Sequence, residues 1–273
     1  MDSNRKIVLV TGSTDGVGRL VARRLAIRGA RVLIHGRDRH RGKQVVDQIQ
    51  AAGYGSAVFL PADLSSLAEV RRLAEMVRQD CDRLNVLVNN AGIGSGGSAG
   101  KRETSAEGYE LRFAVNYLAG FLLTRLLLPL IMLNKPARIV NVSSLGQHPI
   151  DFDDVMLTRG YTGGRAYAQS KLAQIMFTFD LAREFDPGAV TANCLHPATY
   201  MATTMVRQSG VTPVSTVEEG GEAILNLAVS EKLDTTSGVF YNGLRPSRAN
   251  PQAYDDRARE RLQMLSMRLT GLA

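Results

Sequence analysis

Short apolar runs recur along the 273-residue chain, separated by longer stretches whose apolar positions return every three or four residues. The runs "KIVLVTG" (6–12), "RVLIHG" (31–36), "SAVFLPAD" (56–63), "NVLVNNAG" (85–92), "RIVNVSS" (138–144), "VTANCLHP" (190–197) and "GVFYNG" (238–243) are rich in β-branched residues and do not alternate. Continuous apolar runs of this kind mark strands covered on both faces, as in a parallel sheet. Segments 16–29, 39–52, 66–81, 105–133, 164–185 and 217–230 carry the helical period. In the first, Leu20, Val21, Arg24, Leu25 and Arg28 divide into an apolar and a basic face. Before the last, Ser215 or Thr216 with Glu218 or Glu219 forms a capping box. The β-α alternation predicts an α/β fold with one doubly wound, mostly parallel seven-stranded sheet and helices on both faces. No linker or repeat divides it, so residues 1–273 read as a single domain, with 94–100 ("GSGGSAG") a flexible loop inside it.

Composition narrows the function classes. Hydrophobic residues make up 44% and charged residues 22%, which fits a globular protein with a sizeable core. The net charge is +7, and the densest basic run is "HGRDRHRGK" (35–43). It reads as a solvated loop and helix start, and without aromatic interleaving or a nucleic-acid motif no nucleic-acid partner is expected. Cys81 and Cys194 lie far apart and form no metal or redox spacing. His148 and His196 each precede a proline and have no spaced ligand partners, so they read as structural, and no metal site is expected. The start "MDSNRKIVLVTG" enters a strand at once, without a signal-peptide pattern. Two reduced thiols and this start predict a cytoplasmic protein. The apolar stretch 117–133 contains Arg125 and Pro129 and falls short of the roughly 18–20 clean residues of a spanning helix, so it reads as a buried helix and no membrane partner is expected.

Candidate chemistry begins at "VLVTGSTDGVGRLVARRLA", where Gly12, Gly16 and Gly18 lie between the first strand and first helix. Glycines are needed where the backbone turns sharply and phosphate approaches main-chain N–H groups at a helix N-terminus. The spacing G-x-x-x-G-x-G differs from the G-x-G-x-x-G fingerprint. It resembles the T-G-x-x-x-G-x-G turn of the short-chain dehydrogenase/reductase superfamily. That resemblance implies a Rossmann fold and a nicotinamide cofactor held by Gly12, Ser13, Thr14, Asp15, Gly16, Val17 and Gly18. At the end of the second strand an acid bonds a ribose 2′-OH, whereas an Arg accommodates a 2′-phosphate. Gly36 stands where the acid would be and Arg37 follows, favouring NADP; Asp38, one residue on, is what would favour NAD. The resemblance further implies that Asp63 and Leu64 contact the adenine. It places Asn90, Ala91 and Gly92 of "NNAG" at the cofactor, with Pro197, Ala198 and Thr199 beside the nicotinamide. Ala198 stands where the family has glycine, and "TYMATTMV" after it reads as part of a mobile lid.

Carbonyl reduction needs a proton donor near the oxygen, and a free tyrosine, with a pKa near 10, requires a neighbouring cation to serve at neutral pH. Two tyrosines stand in "YTGGRAYAQSK" (161–171), each followed four residues later by a cation. Tyr167 and Lys171 lie in a helical run and share a face. Tyr161 precedes Gly163 and Gly164, where a helix has not begun, so Tyr167 reads as the acid and Tyr161 as a loop residue. In the family resembled, a serine after the fifth strand bonds the substrate oxygen, here Ser144 or else Ser143. A helix asparagine, here Asn116, holds a relay water. Asn116, Ser144, Tyr167 and Lys171 thus reproduce the family's tetrad in order. Ser144 and Tyr167 are 23 residues apart, farther than in common members, and this insert resembles the retinol-dehydrogenase-like branch.

The resulting expectation is an NADP-dependent oxidoreductase of a small carbonyl or alcohol substrate. A non-catalytic dinucleotide-binding regulator and an epimerase-type enzyme are the alternatives on the same fold. Phe121, Leu122, Leu123, Leu126, Leu127, Leu128, Leu130 and Ile131 exceed one helical stripe, and the helix after Tyr167 adds Leu172, Ile175, Met176, Phe177 and Phe179. An apolar face of that size predicts a homodimer or homotetramer paired through these two helices, unless the insert covers it.

Overall fold

The computed structural model describes residues 5–53, 55–96 and 101–273. The "GSGGSAG" loop therefore lies partly outside the described residues. The strands are β1 (Ile7–Val10), β2 (Arg31–Gly36), β3 (Ser56–Pro61), β4 (Val86–Asn89), β5 (Ala137–Val142), β6 (Val190–His196), β7 (Phe240–Asn242) and β8 (Arg245–Ser247). Among the described residues they form one sheet in the order β3-β2-β1-β4-β5-β6-β7-β8. All pairings are parallel except β7 with β8. The expected seven strands are therefore eight: Arg245–Ser247 turns back at Gly243 as an antiparallel edge. It is three residues long and contains Pro246, which is tolerated at a sheet edge but gives no strand signal.

The order reverses between β1 and β4, the position at which doubly wound sheets bind ligands beyond their strand ends. Helices α1 (Gly16–Ile27), α2 (Arg39–Ala52), α3 (Leu67–Asp80), α4 (Ala119–Met132), α5 (Gly163–Glu184), α6 (Thr204–Gln208), α7 (Val217–Val229) and α8 (Asp256–Thr270) supply the layers. One apolar cluster joins the sheet to α3, α4, α5 and α8, and another joins its opposite side to α1, α2 and α7. Polar side chains set the helix starts: Asp15, Asp38, Ser66 and Thr162 each accept a first-turn N–H. The capping box before α7 pairs Thr216 with Glu219.

The expected helix over 105–133 starts later. Thr104 pairs with Glu110 as an isolated antiparallel bridge, and the helix then opens with a π-helical segment, Phe113–Leu118, before α4. By length and composition Phe113–Met132 is apolar enough to cross a membrane, which corrects the expectation that it falls short; most of it is buried inside the fold.

Most of the apolar side chains on which pairing was expected are buried within the chain, while Leu126 and Leu128 remain half-buried. Helix α8, which the sequence reading did not predict, packs on α5 and on the short 3-10 turn Pro251–Tyr254 before it. Its Ser266 hydroxyl lies 2.6 Å from that of Tyr117, and Arg259 Nε lies 2.9 Å from Asp180 of α5. Arg125 spans the rings of Phe121 and Phe177 and pairs with Glu184. Phe121, Leu122, Leu123, Leu127, Leu130 and Ile131 are buried within one chain. Residues of α8 (Ala258, Leu262) and of the insert (Ile150, Val155) both belong to the apolar cluster that these side chains enter. Deleting residues 256–273 is expected to expose Tyr117 and its ring neighbours and drive self-association, read by light scattering. A truncated chain that stays monodisperse with an unchanged melting temperature would show that α8 is not the cover.

Candidate active site

The phosphate turn is built by close backbone contacts. Gly12 has φ 64°, and a side-chain carbon placed on it would lie 2.8 Å from the Cα of Ala91. One placed on Gly18 would lie 2.3 Å from the carbonyl oxygen of Gly12 and 2.4 Å from Nδ2 of Asn90. No L side chain fits either position without displacing backbone. Asn90 locks the turn by donating to the carbonyls of Thr11 (2.8 Å) and Gly12 (3.2 Å). The Thr11 hydroxyl, which the sequence reading did not single out, accepts the N–H groups of Asn90 and Ala91, both at 3.0 Å. The Ser13 side chain is committed to the turn: it donates to Val10 O at 2.7 Å and accepts His35 N at 3.0 Å. The Ser13 backbone N–H is committed as well, donating to His35 O at 2.9 Å. His35 Nδ1 accepts the Gly12 N–H at 3.1 Å, and burial pushes its imidazole down to about 4, which keeps it neutral as an acceptor. Val17 is buried under the turn. A glycine cradle opening onto the N-terminus of α1 fits a pyrophosphate.

At the end of β2, a side-chain carbon on Gly36 would meet Thr14 Oγ1 and Cγ2 at 2.6 Å, so an acid there is excluded unless Thr14 moves. Arg37 is 69% exposed and lies 3.7 Å from Asp63. Asp38 caps α2, accepting Arg41 N at 3.0 Å, and that hydrogen bond holds its carboxyl below the usual range. Asp38 is thus placed as the N-cap of α2. Asp63 also accepts Ser65 N at 2.9 Å, and Leu64 is buried.

Around Tyr167 the elements converge. Ser144 follows β5, and its Oγ accepts Gly146 N at 3.0 Å. A side-chain carbon on Gly146 would touch both Ser144 Oγ (3.5 Å) and the Tyr167 ring (3.8 Å). Ser143 donates instead to the Lys171 carbonyl at 2.7 Å, which leaves Ser144 as the serine beside the tyrosine. Burial pushes the Tyr167 phenol up, a hydrogen bond with the Ser144 side chain pulls it down, and Tyr200 across the lid pushes it up. Lys171 stands over the ring, Nζ 5.7 Å from its centroid. The expected lowering of the phenol by Lys171 is not among these causes. Lys171 itself is buried, and desolvation brings it down to about 7. Asn116 lies in the π-helical segment, a local widening common at functional sites. Its side chain accepts Ile93 N at 2.7 Å and donates to Ile93 O (3.1 Å) and Ser170 Oγ (3.0 Å). Asn116 therefore links the loop after β4 to α5. A side-chain carbon on Gly92 would lie 3.2 Å from Asn116 Oδ1 and 3.5 Å from Lys171 Nζ.

Tyr161 is held elsewhere. Its hydroxyl accepts from Arg112 at 2.8 Å and donates to Glu110 at 3.3 Å, and burial followed by Glu110 pushes it up. The insert is anchored too. The Ile150 backbone bonds both ends of the Gln252 amide, and Gln169 donates to Val155 O at 2.7 Å. After Pro197 and Ala198, Thr199 lies 3.0 Å from His196 Nε2, and the lid reaches back to the phosphate turn, where Thr204 donates to Asp15 at 2.7 Å. The His148 imidazole Nδ1 lies 2.8 Å from the carbonyl of its neighbour Pro149, and its backbone N–H donates to Ala168 O at 3.3 Å. Among the described residues no cluster of His, Cys, Asp or Glu is placed to hold a metal. Cys81 and Cys194 are buried free thiols, pushed up to about 11 and about 12 by burial.

The position of Lys171 has a consequence for stability. Its pKa falls from an unfolded value near 10.4 to about 7 when folded, so between these values the unfolded chain binds more protons. The lysine's contribution is least favourable below about pH 7 and is recovered as pH rises towards 10.5. The unfolding free energy of the wild type relative to Lys171→Met is expected to climb over that window, by at most about 1.4 kcal/mol per pH unit. Denaturant titrations of both proteins at pH 6 to 10 check it; a flat difference would rule out a depressed Lys171.

The fold agrees with what comparison with known proteins shows. The short chain dehydrogenase family profile matches residues 6–212. The chain is 35% identical to Homo sapiens retinol dehydrogenase 12 over 98% of this chain and 87% of that protein. It is 34% identical to Homo sapiens retinol dehydrogenase 13, over 98% and 85%. Among solved structures, it is similar to the Pseudomonas aeruginosa RhlG/NADP active-site complex (TM-score 0.69, 28% identity, 87% of this chain and 94% of that one). It is also similar to an Escherichia coli CFT073 short chain dehydrogenase complexed with NADPH (TM-score 0.71, 26% identity, 88% and 97%). The protein is an α/β oxidoreductase, and it belongs to the short chain dehydrogenase family. Within that family it falls in the retinol-dehydrogenase-like branch and is an NAD(P)-dependent dehydrogenase/reductase acting on CH–OH/C=O pairs.

Proposed function

We propose that this enzyme uses NADP to interconvert an apolar carbonyl compound and its alcohol, with Tyr167 as the acid/base. The observation that carries the proposal is the meeting of Ser144 and the half-buried Tyr167 around Gly146, with Lys171 over the ring. When bound, the nicotinamide supplies or accepts the hydride. Ser144 Oγ donates a hydrogen bond to the substrate oxygen, and the Tyr167 hydroxyl delivers the proton in reduction and takes it back in oxidation. Lys171 bonds the nicotinamide ribose and, as a cation, favours the phenolate. The glycine turn and the N-terminus of α1 hold the pyrophosphate, and Arg37 reads the 2′-phosphate. Ala91, Gly92 and the Pro197–Thr199 segment border the nicotinamide.

An apolar substrate is supported by the rim. Leu145, Tyr200, Met205, Val214 and Leu244 are large apolar side chains left exposed on segments that follow β5, β6 and β7. Exposed apolar surface gathered at a site marks what it binds. Relatives named retinol dehydrogenases make retinal the first aldehyde to test. NADPH absorbance loss on a panel of retinal, long-chain aldehydes, ketones and 3-oxoacyl thioesters checks the proposal, with turnover expected for the apolar members. Binding of NADPH without turnover on any of them would favour a non-catalytic dinucleotide binder.

A further inference from the structure

We infer that Gln174 is a positioning residue for Lys171: one turn along α5, its side-chain amide oxygen holds the buried ammonium in its charged form beside Tyr167. The inference rests on the role of Lys171 proposed above. Lys171 Nζ donates to Val142 O at 3.0 Å and to Gln174 Oε1 at 2.9 Å, and both side chains are buried. An ammonium only donates, so the amide must turn its oxygen to it. No carboxylate accompanies these contacts. The titratable groups set against Lys171 are Tyr167 on its own helix and His196 on β6, whose imidazole burial and Lys171 push down towards neutrality. From the π-helical segment and the loop before it, Asn116 and Gly92 approach, both uncharged. A buried cation supported by dipoles alone depends on each of them, because a charge in a low-dielectric site is costly without hydrogen-bonded partners.

Gln174 is itself fixed from below. Thr178 Oγ1 donates to the Gln174 carbonyl at 2.7 Å and accepts from Asn141 at 2.8 Å; Asn141 in turn accepts from Asn89 at 2.8 Å. This chain of buried amides and hydroxyls runs from β4 through β5 to α5. It places the Gln174 turn relative to the sheet strands that lead to Ser144 and the "NNAG" turn. Such a network holds its members in one geometry, and its interactions strengthen away from water.

The test follows Lys171 directly. With ¹³C-labelled lysine, the Cε resonance of Lys171, assigned by its loss in Lys171→Met, is titrated in the cofactor-free full chain. Gln174→Met keeps the shape and removes the acceptor, whereas Gln174→Glu adds a charge. The midpoint is expected to fall by about one to two pH units in Gln174→Met and to rise in Gln174→Glu. The high-pH limb of NADPH-driven carbonyl reduction is expected to move the same way, since reduction needs Lys171 charged and Tyr167 protonated. Gln174→Asn, too short to reach, provides a second neutral variant should Gln174→Met fail to fold, and should shift the midpoint down. Midpoints unchanged within about 0.3 pH units in all soluble variants would overturn the inference. Midpoints that move while the reduction profile stays fixed would support the positioning by Gln174 and overturn instead the proposed role of Lys171.

Discussion

Tyr167→Phe is expected to bind NADPH as the wild type does and to lose about 10²- to 10⁴-fold in turnover, the range over which a positioned acid acts. The ring packs between Gly146 and Lys171, and phenylalanine preserves that packing, so the change removes the proton donor and little else. Tyr161→Phe is the matched control. Its hydroxyl serves Arg112 and Glu110, 2.8 and 3.3 Å away, so its loss is expected to lower stability by about 1 kcal/mol and turnover by less than tenfold. Steady-state kinetics with fluorescence titration of NADPH separates the two. Equal losses in both variants would mean that the proton passes through neither, and that a different group acts as the acid.

Arg37→Ala is expected to weaken NADPH by roughly 10- to 150-fold and NADH by far less, because a charge-assisted contact to phosphate is worth about 1.5–3 kcal/mol net. The setting sharpens that expectation. Gly36 cannot become an acid without displacing Thr14, and Asp38 is engaged as the cap of α2. Arg37 is exposed and its partner in the chain is Asp63 at 3.7 Å, a contact that an arriving phosphate can replace. Dissociation constants for both cofactors decide the matter; parallel losses for NADPH and NADH in Arg37→Ala would show that this arginine does not read the 2′-phosphate.

What the sequence alone determined is what depends on near neighbours along the chain. Continuous apolar runs specify strands covered on both faces, and seven of the eight strands follow from them. The glycine spacing 12-16-18 is legible as a strand–turn–helix pattern, although the atoms that exclude side chains there include Asn90, Ala91 and Thr203 from distant segments. Tyr167 and Lys171 are readable because four residues make one helical turn, and Tyr161 is set aside because two glycines stand between it and that turn. Tertiary structure decided the rest. The three-residue β8 with Pro246 and the predominantly polar α8 carry little local signal, and each exists because a distant surface needs a partner. Thr11 and Thr204 are ordinary residues until folding sets them against Asn90 and Asp15, 79 and 189 positions away. Whether Ser143 or Ser144 faces the tyrosine turns on which hydroxyl the α5 backbone captures. The charge state of Lys171 depends on how completely water is excluded around it, a property of the packed whole that no stretch of sequence contains.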